Sequence, residues 1–172
     1  MKITTAILMA CLPGIAAALF AAEVAEVNFK ELGPQLPASA PEIKGAFVPN
    51  GFYKGNGDPA GPPPVDGSVY GSFPDNATGS IRLGPFHLDG HTGIAIPVVT
   101  GPDNHNLSIV VRDAASKKIL AKMIPPPMRT KWWAWHPDLP QGMDITVEIF
   151  AEDKGTGWGQ WLALGWPHKL RH

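Results

Sequence analysis

An alternation of apolar and polar residues with a period of two is the clearest pattern along this chain. From Met143 to Ala151 every second residue is apolar, and Asp, Thr and Glu occupy most of the positions between them. Successive side chains of an extended strand point to opposite faces of its sheet. The segment therefore predicts a strand with one buried face and one solvated face.

The same alternation predicts a hairpin in the middle of the chain. Leu107, Ile109 and Val111 are separated by single residues, as in a strand. The segment 113–116 is typical of a turn, and a second strand is predicted over 118–124.

Short apolar runs separated by turn residues continue the pattern. Gly and Pro contribute 19 residues each to the 172, and both interrupt helices, so a helical bundle is disfavoured. Further strands are predicted over 46–53, 68–73, 80–88, 93–99, 131–136 and 158–166. We therefore predict an all-β fold, an antiparallel β-sandwich built as a jelly roll of about eight strands, with an immunoglobulin-like sandwich as the alternative.

The amino-terminal segment predicts export. An uncharged run from Ile3 to Ala22 follows Lys2, which is the arrangement of a secretory signal. Residues 1–22 are predicted to be a signal peptide, with a retained membrane anchor as the alternative, or a lipid anchor at Cys11. A Pro-containing tether over 23–43 and a sandwich domain over 44–172 follow, and the predicted location is periplasmic or secreted.

The charge and the cysteine content argue against two kinds of function, nucleic-acid binding and cysteine-dependent chemistry. The chain has 14 basic and 15 acidic residues and a formal net charge of −1, which argues against a nucleic-acid-binding surface. Cys11 is the only cysteine and lies in the predicted signal peptide. Cleavage beyond it would leave no disulfide, no cysteine nucleophile and no cysteine-ligated metal.

His87, Asp89 and His91 are the best candidate metal ligands, because every second residue of a strand lies on one face. Asp103 and His105 are candidates to complete such a site. However, the Asp-Gly dipeptide that begins at Asp89 predicts a hairpin turn between two strands. We therefore predict no metal site and no cofactor.

The sequence also favours a protein without enzymatic activity. No Gly-x-Ser-x-Gly motif of a nucleophilic hydrolase occurs. Glu148 and Glu152 share the predicted solvated face of their strand, so a catalytic carboxylate pair is not expected. The glycine-rich segment around Gly157 lacks the Lys-Ser/Thr pair of a phosphate-binding loop and is predicted to be a turn.

Six tryptophans, all between residues 132 and 166, are the most informative residues for function. Indole rings stack on the apolar faces of sugars and also donate a hydrogen bond. The alternative is that most of these indoles pack in the core or against a partner protein. The predicted ligand-binding residues are Trp132, Trp135 and Trp158 as stacking groups and Arg129, Asp153 and Gln160 as polar groups.

Several segments together resemble the galactose-binding-like β-sandwich modules of bacterial membrane glycosyltransferases and other envelope proteins. The resemblance spans residues 45–167 and is carried by GSIRLGPFHL (79–88), IPVVTGP (96–102), LSIVVRD (107–113), WHPDLP (135–140), VEIFAED (147–153) and GWGQWLAL (157–164). It implies a sandwich that serves carbohydrate binding, protein contact or scaffolding.

These observations together predict an exported, non-enzymatic module that binds carbohydrate or a cell-envelope glycan. A structural or protein-interaction domain of the envelope, with an envelope protein as its partner, is the second hypothesis. A metal-binding periplasmic protein is the third. Contact with a membrane is expected only through an uncleaved leader or a lipid anchor.

Overall fold

A computed structural model describes residues 32–54, 69–127, 131–155 and 157–170. The predicted signal peptide, the tether up to residue 31, and Arg129 lie outside the described residues. Within the described ranges the regular structure consists of strands, with no helix long and apolar enough to cross a membrane. The strands are β1 (Glu42–Gly45), β2 (Val48–Pro49), β3 (Val69–Gly71), β4 (Gly79–Leu88), β5 (Ile94–Thr100), β6 (Leu107–Asp113), β7 (Ile119–Met123), β8 (Trp133–Trp135), β9 (Ile145–Asp153), β10 (Leu162–Gly165) and β11 (His168–Lys169).

The strands form two antiparallel sheets, which confirms the predicted all-β sandwich. The five-stranded sheet has the order β1-β4-β9-β6-β7, and the six-stranded sheet has the order β11-β5-β10-β3-β2, with β8 also paired to β5. The β6–β7 hairpin is confirmed, with Val110 opposite Lys122. The described strands number eleven rather than about eight, and β1 and β11 are short pieces that the alternation does not reveal.

A bulge in β4 keeps its apolar residues on the inner face. Leu83 pairs with Ile149 and Phe86 with Val147, so β4 contains one extra residue between them. Gly84 takes up this extra residue with a φ of 101°, a backbone conformation that favours glycine. The buried positions of β4 therefore change from odd to even numbers along the strand.

The predicted hairpin turn at Asp89 is a connection between the two sheets instead. β4 belongs to the five-stranded sheet and β5 to the six-stranded sheet, so the two strands do not pair. The carboxylate of Asp89 accepts hydrogen bonds from the His91 amide at 3.1 Å and from the Thr92 hydroxyl at 2.7 Å. An Asp-Gly dipeptide thus indicates a turn here but not which sheet the next strand joins.

Part of the predicted tether belongs to the folded domain. Leu36 is buried in the core between the sheets, and its carbonyl accepts a hydrogen bond from the Trp166 indole at 3.0 Å. The Leu36 amide donates to the Pro167 carbonyl, and the Gly33 amide donates to the Lys169 carbonyl. Residues 32–36 are thereby bonded to the segment around β11, and β1 pairs with β4, so these parts of the predicted tether over 23–43 belong to the sandwich.

The six-stranded sheet is covered on both faces. Its inner face carries Trp133 and Trp135 in the main core. Its outer face carries a second apolar cluster, here called the aromatic cap, which consists of Phe52, Val69, Phe73, Val99, Trp132, Trp161 and Ala163. All seven residues of β5 are buried as a result. The outer face of the five-stranded sheet, in contrast, carries mostly polar and charged side chains.

Candidate ligand-binding surface

The three tryptophans predicted to stack on a ligand occupy different environments. Trp135 is 1 % exposed and lies in the core, so it has no ring face to offer a ligand. Trp132 is 5 % exposed and packs edge-on against Phe52 in the aromatic cap, with ring centroids 5.4 Å apart. Trp158 is 76 % exposed. The predicted stacking role therefore fits Trp158 alone, and Trp132 and Trp135 are corrected to packing residues.

Asp153 and Gln160, the predicted polar groups, come close together but beneath the surface. The Gly155 amide donates to Asp153 Oδ1 at 2.8 Å, and the Gly157 amide donates to Gln160 Oε1 at 3.3 Å. A Cβ on Gly155 would lie 1.9 Å from Gln160 Cδ, so the side chain of Gln160 covers this glycine. Asp153 and Gln160 are therefore not exposed to a ligand. Their side chains instead hold the loop that carries Trp158.

Asp153 also joins the two sheets at this end of the sandwich. Its Oδ2 accepts a hydrogen bond of 2.6 Å from the Ser72 hydroxyl, and that hydroxyl accepts one of 2.9 Å from the Leu162 amide. Asp153 ends β9 of the five-stranded sheet, whereas Leu162 begins β10 of the six-stranded sheet. Burial raises the pKa of Asp153, and the hydrogen bonds from Ser72 and Gly155 only partly oppose this effect.

We therefore expect the free energy of unfolding of Asp153→Asn, compared with that of the parent protein, to increase as pH rises. A carboxyl whose pKa is raised on folding binds more protons in the folded state, so its contribution to stability falls as pH increases through the folded pKa. Asparagine does not titrate and retains an oxygen that accepts a hydrogen bond. Urea denaturation at several pH values between about 4 and 8 measures this. A constant difference between variant and parent over this range would contradict the raised pKa.

The loop that carries Trp158 is bonded to the segment before β6. The Asp103 amide donates to the Gly159 carbonyl at 3.2 Å, and Asp103 and Gln160 form a β-bridge. Asp103 Oδ1 also accepts a hydrogen bond from the His105 amide at 2.9 Å and lies 2.5 Å from His105 Nδ1, and these hydrogen bonds with His105 lower the pKa of Asp103. Trp158 is thus held next to the segment 101–105.

Two shallow hollows lie at the same end of the five-stranded sheet. The β6–β7 hollow, of about 420 Å³, is lined by Asn104, His105, Asn106, Leu107, Ser108, Lys122, Ile124, Glu152 and Lys154. The β1–β4 hollow, of about 300 Å³, is lined by Lys44, Gly45, Thr78, Gly79, Ser80, Glu152, Asp153 and Lys154. Glu152 and Lys154 line both, and their charged groups form an ion pair of 3.0 Å.

These hollows are not among the sites that the sequence predicts. The available signal was the serine at an outward position of β4 and of β6, because a small side chain between longer ones leaves a depression. His105 links the β6–β7 hollow to Asp103 and hence to the loop of Trp158. The loop of Trp158 is therefore bonded through its backbone to the segment 103–105, whose residue His105 lines the β6–β7 hollow.

Glu148 is buried, which corrects the prediction that it is solvated. It is 2 % exposed and accepts hydrogen bonds from Arg82 Nη1 at 2.6 Å, Lys117 Nζ at 2.9 Å and Arg112 Nε at 3.1 Å. Burial alone would raise the pKa of Glu148, but the hydrogen bonds from Lys117, Arg82 and Arg112 outweigh it and lower the pKa. Glu148 is thus an ionised structural group.

The candidate metal ligands do not converge. Among the described residues, no three His, Cys, Asp or Glu side chains are grouped so that they could hold a metal ion. His87 Nε2 lies 3.8 Å from Asp144 Oδ2, and both side chains are exposed. Asp103 and His105 lie at the opposite end of the sheet, because Leu88 pairs with the start of β9 and Leu107 with its end.

Comparison with known proteins shows a likeness of fold. No protein-family model matches the chain, and no match was found among the curated proteins. The C-terminal extracellular domain of Mycobacterium tuberculosis EmbC superposes with a TM-score of 0.55 at 17 % identity, over 86 % of this chain and 64 % of that domain. This chain thus spans about two thirds of that domain's length.

Two weaker structural matches have TM-scores of 0.44. One is the K1 cleaved adhesin domain of Lys-gingipain from Porphyromonas gingivalis, at 14 % identity over 87 % of this chain and 99 % of that one. The other is the arabinosyltransferase EmbB from Mycobacterium smegmatis, at 15 % identity over 84 % of this chain and 19 % of that one. The EmbC match shows the β-sandwich fold, and the resemblance to galactose-binding-like modules stays a prediction.

Proposed function

We propose that the chain is an exported, non-enzymatic module of the cell envelope that binds carbohydrate through Trp158 and the adjacent β6–β7 hollow. The observation that carries this proposal is the exposure of the Trp158 indole on a loop whose neighbours are fixed by hydrogen bonds. An aromatic side chain of this size is usually buried, so exposure of three quarters of it favours a role in recognition.

The chemistry of the hollow supports a hydroxyl-rich ligand. Its lining offers the amide groups of Asn104 and Asn106, the Ser108 hydroxyl and the charged groups of Lys122 and Glu152. These groups donate and accept hydrogen bonds as sugar hydroxyls do. A ring stacked on the indole supplies the apolar part of the contact.

An extracellular location supports the same proposal. The EmbC domain, whose fold this chain resembles, is extracellular. The segment predicted to be a signal peptide would deliver this chain to the periplasm or the outside of the cell. A glycan of the envelope is then the carbohydrate within reach.

Trp158→Ala should weaken glycan binding about 2- to 10-fold, because a stacked aromatic contributes about 0.5–1.5 kcal/mol beyond its area. A glycan array selects the sugars that the parent protein binds, and titration calorimetry with the best of them measures the loss. Ile119→Ala is the matched control, because Ile119 is also exposed but lies on β7 away from the hollow lining. Equal affinity of both variants, with the fold of each intact, would remove Trp158 from the site.

A protein-interaction domain is the second candidate. Ile119 and Ile124 are exposed apolar residues on and beside β7, which is the last strand of the five-stranded sheet in the part of the chain described. An open strand edge can pair with an extended segment of another protein. Failure of the array combined with an effect of Ile119 variants on a partner complex would favour this candidate.

A further inference from the structure

Four outward side chains form a straight polar row across the five-stranded sheet. Lys44 of β1 pairs with Ser80 of β4, Ser80 pairs with Glu152 of β9, and Glu152 pairs with Ser108 of β6. Paired residues in neighbouring strands point to the same face, so all four share one side. The adjacent residues Ile81, Ile109 and Ala151 point into the core, which places this cross-strand row on the outer face.

The two serines explain why the outer surface of the sheet has a depression on each side of Glu152. Ser80 lies between Lys44 and Glu152, and Ser108 lies between Glu152 and the strand that carries Lys122. Serine side chains are much shorter than lysine or glutamate, so each leaves a depression in the surface. Within the described part of the chain, no hydrogen bond uses the hydroxyl of Ser80 or Ser108, so both are available to a ligand.

The length of the row favours an extended ligand. Neighbouring strands are about 4.8 Å apart, so the row from β1 to β6 crosses three spacings, about 14 Å, and β7 with Lys122 lies one spacing further. The two hollows lie along this direction and share Glu152 and Lys154 between them. An extended oligosaccharide lying across the strands fits this row better than a single sugar does.

The charges in and beside the row favour one class of oligosaccharide over another. Lys154 is neutralised by Glu152 at 3.0 Å, whereas Lys44 lies 3.9 Å from Glu42 with 77 % of its side chain exposed. Lys122 forms no ion pair with any described residue. Lys122 pairs with Val110, two residues beyond Ser108, so it lies beside the row rather than in it. Each hollow is nevertheless lined by one of these two ammonium groups, Lys44 in the β1–β4 hollow and Lys122 in the β6–β7 hollow.

We propose that the cross-strand row and the β6–β7 hollow beside it bind an acidic oligosaccharide whose carboxylates meet Lys44 of the row and Lys122 of the hollow. This inference rests on the proposed function and names its ligand class. The neutral hydroxyl groups of the same oligosaccharide would lie over Ser80, Glu152 and Ser108. Because both lysines are exposed, each contributes a modest amount that salt screens.

The test compares uronic-acid oligosaccharides with the same oligosaccharides after reduction of their carboxyl groups. Oligogalacturonate and oligomannuronate of at least four sugars are the probes, measured by titration with the full chain. We expect the acidic forms to bind at least 3-fold more tightly at low salt, and the difference to shrink at high salt. Lys44→Gln combined with Lys122→Gln should remove the preference, while Lys118→Gln, at an exposed lysine outside the row, should leave it unchanged.

A second variant tests the row itself. Ser108→Gln fills the β6–β7 hollow from an outward position, so it should weaken binding of both forms without lowering the unfolding temperature. Equal affinity for acidic and neutral forms, or no effect of either variant, would overturn the acidic row and leave the proposed carbohydrate binding standing. No binding of either form, together with an array on which no glycan binds, would overturn both.

Discussion

Trp135→Ala should lower the free energy of unfolding by about 3–5 kcal/mol, the range for truncating a buried tryptophan. Trp135 is 1 % exposed and lies between the two sheets, so alanine leaves a large cavity lined by apolar side chains. Ile96 pairs with it on β5 and would lose much of its packing. Urea denaturation followed by circular dichroism measures the change.

Trp158→Ala is the control for this substitution, because it removes the same side chain from the surface. We expect it to change the free energy of unfolding by less than about 0.5 kcal/mol. Trp135→Phe, which leaves a smaller cavity, should fall between the two and remains measurable if the alanine variant does not fold. A loss below 1 kcal/mol for Trp135→Ala would contradict the assignment of this residue to the core.

Glu148→Gln should also be strongly destabilising, by about 3 kcal/mol, at the lower end of the range for removing one partner of a buried ion pair. The substitution leaves Arg82, Arg112 and Lys117 close together without the carboxylate that they surround. The lower end is expected because these three cations keep part of their hydration. Denaturation at pH 7 and low salt is the measurement.

The pH dependence of this loss has a definite sign. The pKa of Glu148 is lowered on folding, so its contribution is present above the unfolded pKa and is lost as pH falls through the folded pKa. The difference between the parent and Glu148→Gln should therefore shrink below about pH 4.5. Glu42→Gln is the matched control, because Glu42 also pairs with Arg82 but is exposed, and its loss should be much smaller. Equal losses at both positions would contradict a special role for the buried carboxylate.

Local patterns were sufficient to predict most of the described strands, β1 and β11 excepted, but not the assignment of strands to sheets. The alternation in β9 and in the β6–β7 hairpin depends on neighbouring residues, and both are confirmed. The partners of β4 and β5 depend instead on residues more than 30 positions away, such as Val147 opposite Phe86 and Trp135 opposite Ile96. The Asp-Gly dipeptide at Asp89 carries no information on those partners.

The same limit applies to the candidate site. A period of two places Trp132 and Trp135 on opposite faces of the strand, as observed. The period does not predict that Phe52, from a distant part of the sequence, covers Trp132 on the outer face. Glu148 occupies a polar position of its strand, yet Arg82 and Arg112 from neighbouring strands bury it. Burial of a residue by distant segments cannot be predicted from the residues next to it in the sequence.

The order of strands also determines when the sheets can be completed. β9 lies between β4 and β6, and β10 lies between β5 and β3, so both sheets depend on strands that begin at residue 145 or later. A ribosome must therefore finish most of the chain before either layer can close. Until then β4 and β6, and likewise β3 and β5, lack the strand that joins them, so their apolar residues are exposed to aggregation.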